Sequence, residues 1–286
     1  LLYVLSVQIL AVLLVLLLPL TKIPLLSDQY ICMVISVIIS YCLLDNIFPK
    51  ETVTEPSPEK PSFSVLSFLH YFMLFQAAQW IGGIINIPII TLFTKLGLNL
   101  SFSEEAARGG SLTNAPMLFY TILVAPLMEE LVFRGIFYRR FRSYGKYFAA
   151  FYTAFFFALM HSNFLQFAPA FSMGMILFFI RDRHGLPYSI LLHFSNNLLA
   201  IVVNNLSQDS TLIQGIYGGF LLAGMFYGIY FVLKNRTHFA EDSQYEKEHS
   251  LSLKQFFSSP LLWVDIVLMV ALACVSLFVP MDAGAM

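Results

Sequence analysis

Residues 125–135 read APLMEELVFRG. They lie in a long apolar run, with Phe119 and Tyr120 before them and Phe137 and Tyr138 after them. Two adjacent carboxylates and a guanidinium are out of place in a segment that only crosses a bilayer. An ionisable side chain at mid-depth costs at least ~2.5–3.5 kcal/mol on insertion scales, which makes it a functional-site hypothesis by default. Spacing separates the two glutamates. Residues four apart share a helix face, so Glu130 and Arg134 can pair directly. Glu129 is rotated by about 100° from Glu130 and has no arginine four residues on. The turn therefore offers one neutralised carboxylate and one available carboxylate. A polar clamp, in which both glutamates meet partners on neighbouring helices, explains this segment equally well by itself.

The rest of the chain sets the frame. Of 286 residues, 58% are hydrophobic and 12% charged, against about 25% charged in soluble domains. With a mean hydropathy of +0.75, this is the composition of an all-α, polytopic membrane protein. The net charge of −1 says nothing about nucleic acid, and no basic cluster interleaved with aromatics points to it as a partner. Cys32, Cys42 and Cys274 lie in apolar runs without CxxC spacing, which reads as structural thiols. The first twenty residues lack a basic n-region and a small-residue cleavage site, so they read as a spanning helix rather than a signal peptide.

A hydrocarbon core about 30 Å thick needs about 20 apolar residues per helix. That rule predicts nine spans, near 1–20, 30–48, 63–94, 115–138, 147–162, 164–181, 185–204, 211–233 and 260–279. The third is too long for one straight crossing, and Gly82, Gly83 and Pro88 are places where it could kink or break. With the N-terminus in the cytoplasm, the inside loops hold Lys50, Lys60, Arg139, Arg140, Arg142, Lys146, Arg181, Arg183, Lys234, Arg236, Lys247 and Lys254. The outside loops hold Lys22, Lys95 and Arg108, and Arg134 stays within the membrane. Twelve cations inside against three outside fix that orientation. Residues 49–62 read as a Pro-rich linker, 95–114 as a polar stretch with room for a short interfacial helix, and 234–258 as a charged cytoplasmic connector. Three regions follow: N-terminal helices and linkers over 1–114, a four-helix core over 115–205, and C-terminal helices with the connector over 206–286.

Other spans carry polar groups too. Phe157 and His161 are four apart, as are His193 and Asn197. A lone histidine near a helix end is commonly an interfacial or satisfied group, and a His–Asn pair often bridges helices. Asp45 and Asp265 lie near predicted span ends and read as interfacial. Taken together, three stations on the fourth, fifth and seventh spans supply Glu, His, His and Asn. A carboxylate can take a proton from water, imidazoles can ligate a divalent metal or donate hydrogen bonds, and an amide can stabilise an oxyanion.

The residues EELVFR at 129–134, FALMH at 157–161 and HFSNN at 193–197 match, in order, a Glu-Glu-x-x-x-Arg, a Phe-x-x-x-His and a His-x-x-x-Asn motif. Each alone is weak; three in order over about 70 residues of apolar helix are specific. The pattern resembles the CAAX-protease and bacteriocin-processing family of intramembrane proteases, known as CPBP or Abi. The resemblance covers about 115–205 and implies a membrane-embedded endopeptidase of metalloprotease type. On it, Glu129 resembles the glutamate that activates water, with Glu130 and Arg134 completing the first motif. His161 resembles the histidine that helps to hold the water or metal, and His193 and Asn197 resemble the oxyanion-hole pair. Glu129, His161 and His193 would be the ligands of zinc or another divalent metal. The same residues equally suit glutamate–histidine water activation without tightly bound metal.

The implied substrate is a membrane-associated peptide or protein, in peptide maturation, peptide signalling or bacteriocin self-immunity at a bacterial plasma membrane. The competing reading is a non-proteolytic immunity or sensor-regulating protein that binds a membrane partner, a role that does not need Glu129. A proton or ion pathway would spread carboxylates across the bilayer, whereas here they cluster. Counting residues from Arg139 and His184 puts Glu129 and His193 roughly 13–15 Å from the cytoplasmic edge, and from Lys146 puts His161 about 22 Å away. For these groups to meet, the fifth helix must start within the cytoplasm, tilt or unwind. A cavity opening to the cytoplasm at mid-depth is expected, with Gly174 permitting close helix packing.

Overall fold

The computed structural model describes residues 2–17, 28–47, 61–108, 114–207, 210–249 and 256–277. Among them there is no strand. The helices are α1 (Leu2–Leu17), α2 (Gln29–Ile47), α3 (Val65–Lys95), α4 (Ser101–Arg108), α5 (Ala115–Tyr144), α6 (Lys146–Met160), α7 (Phe164–Arg183), α8 (Leu186–Ser207), α9 (Thr211–His249) and α10 (Pro260–Ser276). Six of these (α2, α3, α5, α7, α8 and α9) are long and apolar enough to cross a membrane. Their outer faces carry exposed Leu66, Ile87, Leu212, Ile216 and Phe226. An exterior of that kind belongs in lipid, so this is a multi-pass membrane protein with an all-α bundle.

The site depends on α7, the central helix, which packs against α3, α6 and α8. On its other contacts α5 lies against α2, α6 and α8, so it closes the bundle opposite α3. The third predicted span is a single unbroken helix. Gly82 is used for packing instead of bending: a Cβ there would meet Pro169 of α7 at 2.6 Å. A side chain at that point would drive the two helices apart, so the glycine is what allows α3 and α7 to touch.

Start and stop signals are local. Ser64 caps α3, with its hydroxyl accepting from the Ser67 amide and Ser67 answering. Asn114 caps α5 by accepting from the Met117 amide at 3.0 Å, and Asn163 caps α7 by accepting from Leu165 at 2.9 Å. Each satisfies an amide that would be orphaned at a helix N-terminus. The helix expected within 95–114 is α4. Asn163 donates to the Ser103 carbonyl at 2.9 Å, which seats α4 on the α6–α7 turn.

Two expectations need correction. The connector predicted over 234–258 is helical as far as His249, because α9 runs on without a break. Its 39 residues reach about 58 Å, nearly twice the hydrocarbon thickness. The projecting end is held by Asp242, which accepts from Lys146 Nζ and Tyr147 OH at 2.9 Å each. The second concerns Asp265, which lies near the start of α10 as expected but is buried at 9% exposure. The linker at 49–62 falls outside the described residues up to position 60.

Candidate active site

The site begins with an irregularity in the backbone of α5. Residues Tyr120–Val124 and Leu131–Phe137 are π-helical, on either side of the α-helical turn Ala125–Glu130. A π turn bonds each amide one residue further back than an α turn does, and such bulges are frequent at functional sites. The Ala125 amide donates to the Tyr120 carbonyl, passing over Thr121. The Tyr138 amide donates to Phe133 and Gly135, passing over Arg134. Both of the carbonyls passed over accept from side chains on other helices. Asn197 Nδ2 of α8 donates to Thr121 O at 3.1 Å. Arg181 Nε of α7 donates to Arg134 O at 3.1 Å, and its guanidinium lies 4.3 Å over the Tyr138 ring.

Between the two bulges stand the glutamates, and the structure separates them as the spacing predicted. Arg134 Nη1 donates to Glu130 Oε1 at 3.0 Å, and both side chains are 0% exposed. Arg134 Nη2 donates to the Gly174 carbonyl at 2.9 Å. The guanidinium lies 4.5 Å over the Phe157 ring, a cation–π contact that strengthens away from water. Gly174 is required by this crowding: a Cβ would lie 3.0 Å from Ala154 and 3.1 Å from Arg134 Nη2. Glu129 remains 16% exposed and faces His193, its Oε2 3.6 Å from Nε2.

His193 therefore lies between the two glutamates. Its Nδ1 meets Glu130 Oε1 at 3.0 Å. A carboxylate that already holds Arg134 can only accept, so Nδ1 is the protonated nitrogen and Nε2 is the one turned to Glu129. His161 is at the C-terminal end of α6. Its Nδ1 donates to the Phe157 carbonyl at 2.8 Å, which leaves Nε2 as a free acceptor. The Phe157 ring stands edge-on to both imidazoles, at 5.1 Å from His161 and 5.7 Å from His193. It is the wedge that spaces them and the platform under Arg134.

Of the six predicted residues, Glu129, Glu130, Arg134 and His193 form one connected cluster. His161 joins it only through Phe157, and Asn197 is reached through the Thr121 carbonyl. His193 and Asn197 share a helix face and both reach α5, one at the glutamates and the other at the Thr121 carbonyl. The fifth span is the regular helix α6, which stops after 15 residues, and the chain turns at Ser162 with φ +49°. Glu129, His161 and His193, the three expected to ligate zinc, do not converge. Among the described residues no three His, Cys, Asp or Glu side chains are grouped to hold a metal ion.

Two cavities lie away from this cluster. One of about 580 Å³ is lined by Pro61, His70, Tyr71, Arg183, His184 and Tyr227, among others, where α3 begins and α7 turns into α8. A second, about 190 Å³ and almost wholly apolar, lies between the α6–α7 turn and α10. Neither is lined by Glu129, His161, His193 or Asn197. The sequence reading missed Arg181, Thr121 and the structural weight of Phe157. Pro126 was only a partial signal: in a regular α-helix it deprives the carbonyl of Ile122, and the π register is what shifts that loss to Thr121.

These features define a class: a multi-pass helical membrane protein with a preorganised polar cluster buried between its helices. Residues 111–199 match the family model described as Rce1-like, type II CAAX prenyl endopeptidase. That segment holds all six site residues and overlaps the region over which the three motifs resemble the CPBP family. Neither the curated proteins nor the solved structures give a match.

Proposed function

We propose that the protein is an intramembrane endopeptidase that hydrolyses a peptide bond in a membrane-associated peptide or protein, with Glu129 as the base. The supporting observation is the unequal treatment of two neighbouring glutamates. Glu130 is fully buried and held by Arg134 and His193, whereas Glu129 keeps some exposure and no guanidinium. A group that must meet water and substrate needs the second environment.

The charges suggest how the cluster works. Two carboxylates against one guanidinium leave one negative charge, which a buried site tolerates poorly. An imidazole carrying a proton on both nitrogens would balance that charge and present Nε2–H as a donor. Glu129 then takes a proton from water, and the water oxygen attacks the scissile carbonyl carbon. The oxygen of that carbonyl becomes an oxyanion, which accepts from His193 Nε2–H and from the Asn197 amide. Protonated Glu129 returns the proton to the leaving nitrogen as the C–N bond breaks, giving a carboxylic acid and an amine. His161, with Nε2 free to accept, holds the water or a substrate N–H. The family description names prenylated CAAX proteins as its substrate class, and a lipidated C-terminal peptide suits a site opening among membrane helices. A plasma-membrane setting agrees with the inside-positive loops.

The test is a comparison of membrane peptides, by mass spectrometry, in cells carrying the wild type and the Glu129→Ala variant. A fragment that vanishes only with the variant is expected. Identical peptide sets would favour the non-proteolytic binding role instead.

A further inference from the structure

We propose that Pro126 is a positioning residue: by denying an amide to the Thr121 carbonyl, it makes that carbonyl available to aim Asn197 at the oxyanion. The inference rests on the reading of Asn197 as an oxyanion donor and adds the device that sets its direction.

A buried carbonyl without a donor is costly, and most find one. In an α-helix Thr121 O would accept from the Ala125 amide. Here that amide goes back to Tyr120 O instead. In a continued π register Thr121 O would accept from residue 126, which is proline and has no N–H. The carbonyl therefore turns to the neighbouring helix, where Asn197 Nδ2 donates to it at 3.1 Å. A primary amide has two N–H groups in one plane. Fixing one on Thr121 O fixes the plane of the amide and the direction of the other. Asn196, the next residue along α8, shows the contrast: its Nδ2 reaches only the sulfur of Met173, at 3.9 Å, a weak acceptor that sets no direction. Glu129 follows Pro126 by three residues, less than one helical turn. The proline that frees the carbonyl and the carboxylate that activates water thus share one turn, and their spacing cannot drift.

Replacing Pro126 by alanine restores an amide and lets α5 relax to α-helical bonding, so Thr121 O is satisfied from within its own helix and Asn197 is released. Two readouts follow the change. In protein labelled with ¹⁵N-asparagine, the Asn197 side-chain signal is assigned by its loss in Asn197→Gln. Its two amide protons should exchange at unequal rates in the wild type and at similar, fast rates in Pro126→Ala. On an internally quenched peptide ending in S-farnesyl-cysteine and three further residues, kcat should fall about 10- to 100-fold, the cost of a displaced group. KM should stay within about twofold. Leu127→Ala, a change on the exposed face of the same turn, should alter neither readout.

Unchanged exchange in Pro126→Ala, or unchanged kcat with altered exchange, overturns the inference. So does a fall in kcat accompanied by a lower melting temperature and a raised KM, which marks a structural proline. Failure of the underlying reading looks different: Asn197→Ala would then cleave the peptide at the wild-type rate, or the wild type would not cleave it at all, while the exchange result still decides whether Pro126 holds the amide.

Discussion

The buried ion pair can be tested without any substrate. Arg134→Met removes a side chain that is 0% exposed and that donates to Glu130 at 3.0 Å and to the Gly174 carbonyl at 2.9 Å. What remains is a carboxylate with no exposure and no guanidinium, beside His193. Breaking a buried pair from one side costs about 3–5 kcal/mol, because the surviving charge is uncompensated. At about 2–4 °C per kcal/mol, melting in detergent should fall by roughly 6–20 °C. Glu130→Gln should cost stability for the mirror-image reason, since it leaves a buried guanidinium. The double change of Glu130→Gln with Arg134→Met removes both charges and keeps an amide oxygen for His193 Nδ1, so part of the loss should return. The sum of the single losses should exceed the double loss by about 1–3 kcal/mol. Additive losses, or an Arg134→Met protein that melts with the wild type, would refute the claim that this pair is the scaffold of the site.

Other expectations follow from the same contacts. Phe157→Ala should destabilise by about 3–5 kcal/mol, as a buried phenyl does, and should lower kcat because it spaces His161 from His193 and supports Arg134; loss of stability with full turnover would contradict its role as a wedge. Gly174→Ala should cost about 1–3 kcal/mol from overpacking against Ala154 and Arg134, read as a lower melting temperature; an unchanged melt would mean that α6 and α7 separate freely. His184 lies in the α7–α8 turn, where burial and the Arg183 charge lower its pKa and the Pro61 carbonyl opposes them. A histidine whose folded pKa is depressed contributes stability above its unfolded pKa of about 6.5 and loses it as pH falls through the folded value. Melting should therefore drop below about pH 6.5, and the drop should shrink in His184→Gln. The scattered donors predict that prolonged dialysis against EDTA leaves cleavage of the prenylated reporter within about twofold; activity lost and then restored by zinc would show that Glu129, His161 and His193 regroup.

Much of this architecture could be read in advance because the bilayer narrows the choices. Apolar runs of spanning length had to be helices, and the four-residue interval between Glu130 and Arg134 had to bring them together. The rotation of Glu129 away from that face followed from helix geometry alone. Other features depended on what neighbouring helices supply. His193 and Asn197 share a helical face, but which way each turns was decided by Glu130 and by the Thr121 carbonyl, from residues more than sixty positions away. The π bulges were invisible to an argument that assumed a regular helix, although Pro126 marked where one carbonyl would need a partner. Gly82 looked like a breaker because the contact that uses it, Pro169, lies on another helix. The apolar stretch of α9 was read as its full length, because charged residues after 234 signal solvent but do not end a helix.

The central claim is that Glu129 performs the chemistry while Glu130 and Arg134 hold the site together. The direct measurement is cleavage of the quenched farnesyl peptide by purified Glu129→Gln protein, with its melting temperature recorded in the same detergent. Turnover should be abolished while melting stays at or above the wild-type value, since the guanidinium of Arg134 makes its ion pair with Glu130 and not with Glu129. A Glu129→Gln protein that still cleaves, or one that melts well below the wild type while Glu130→Gln is stable and inactive, would show that the two glutamates have the opposite roles.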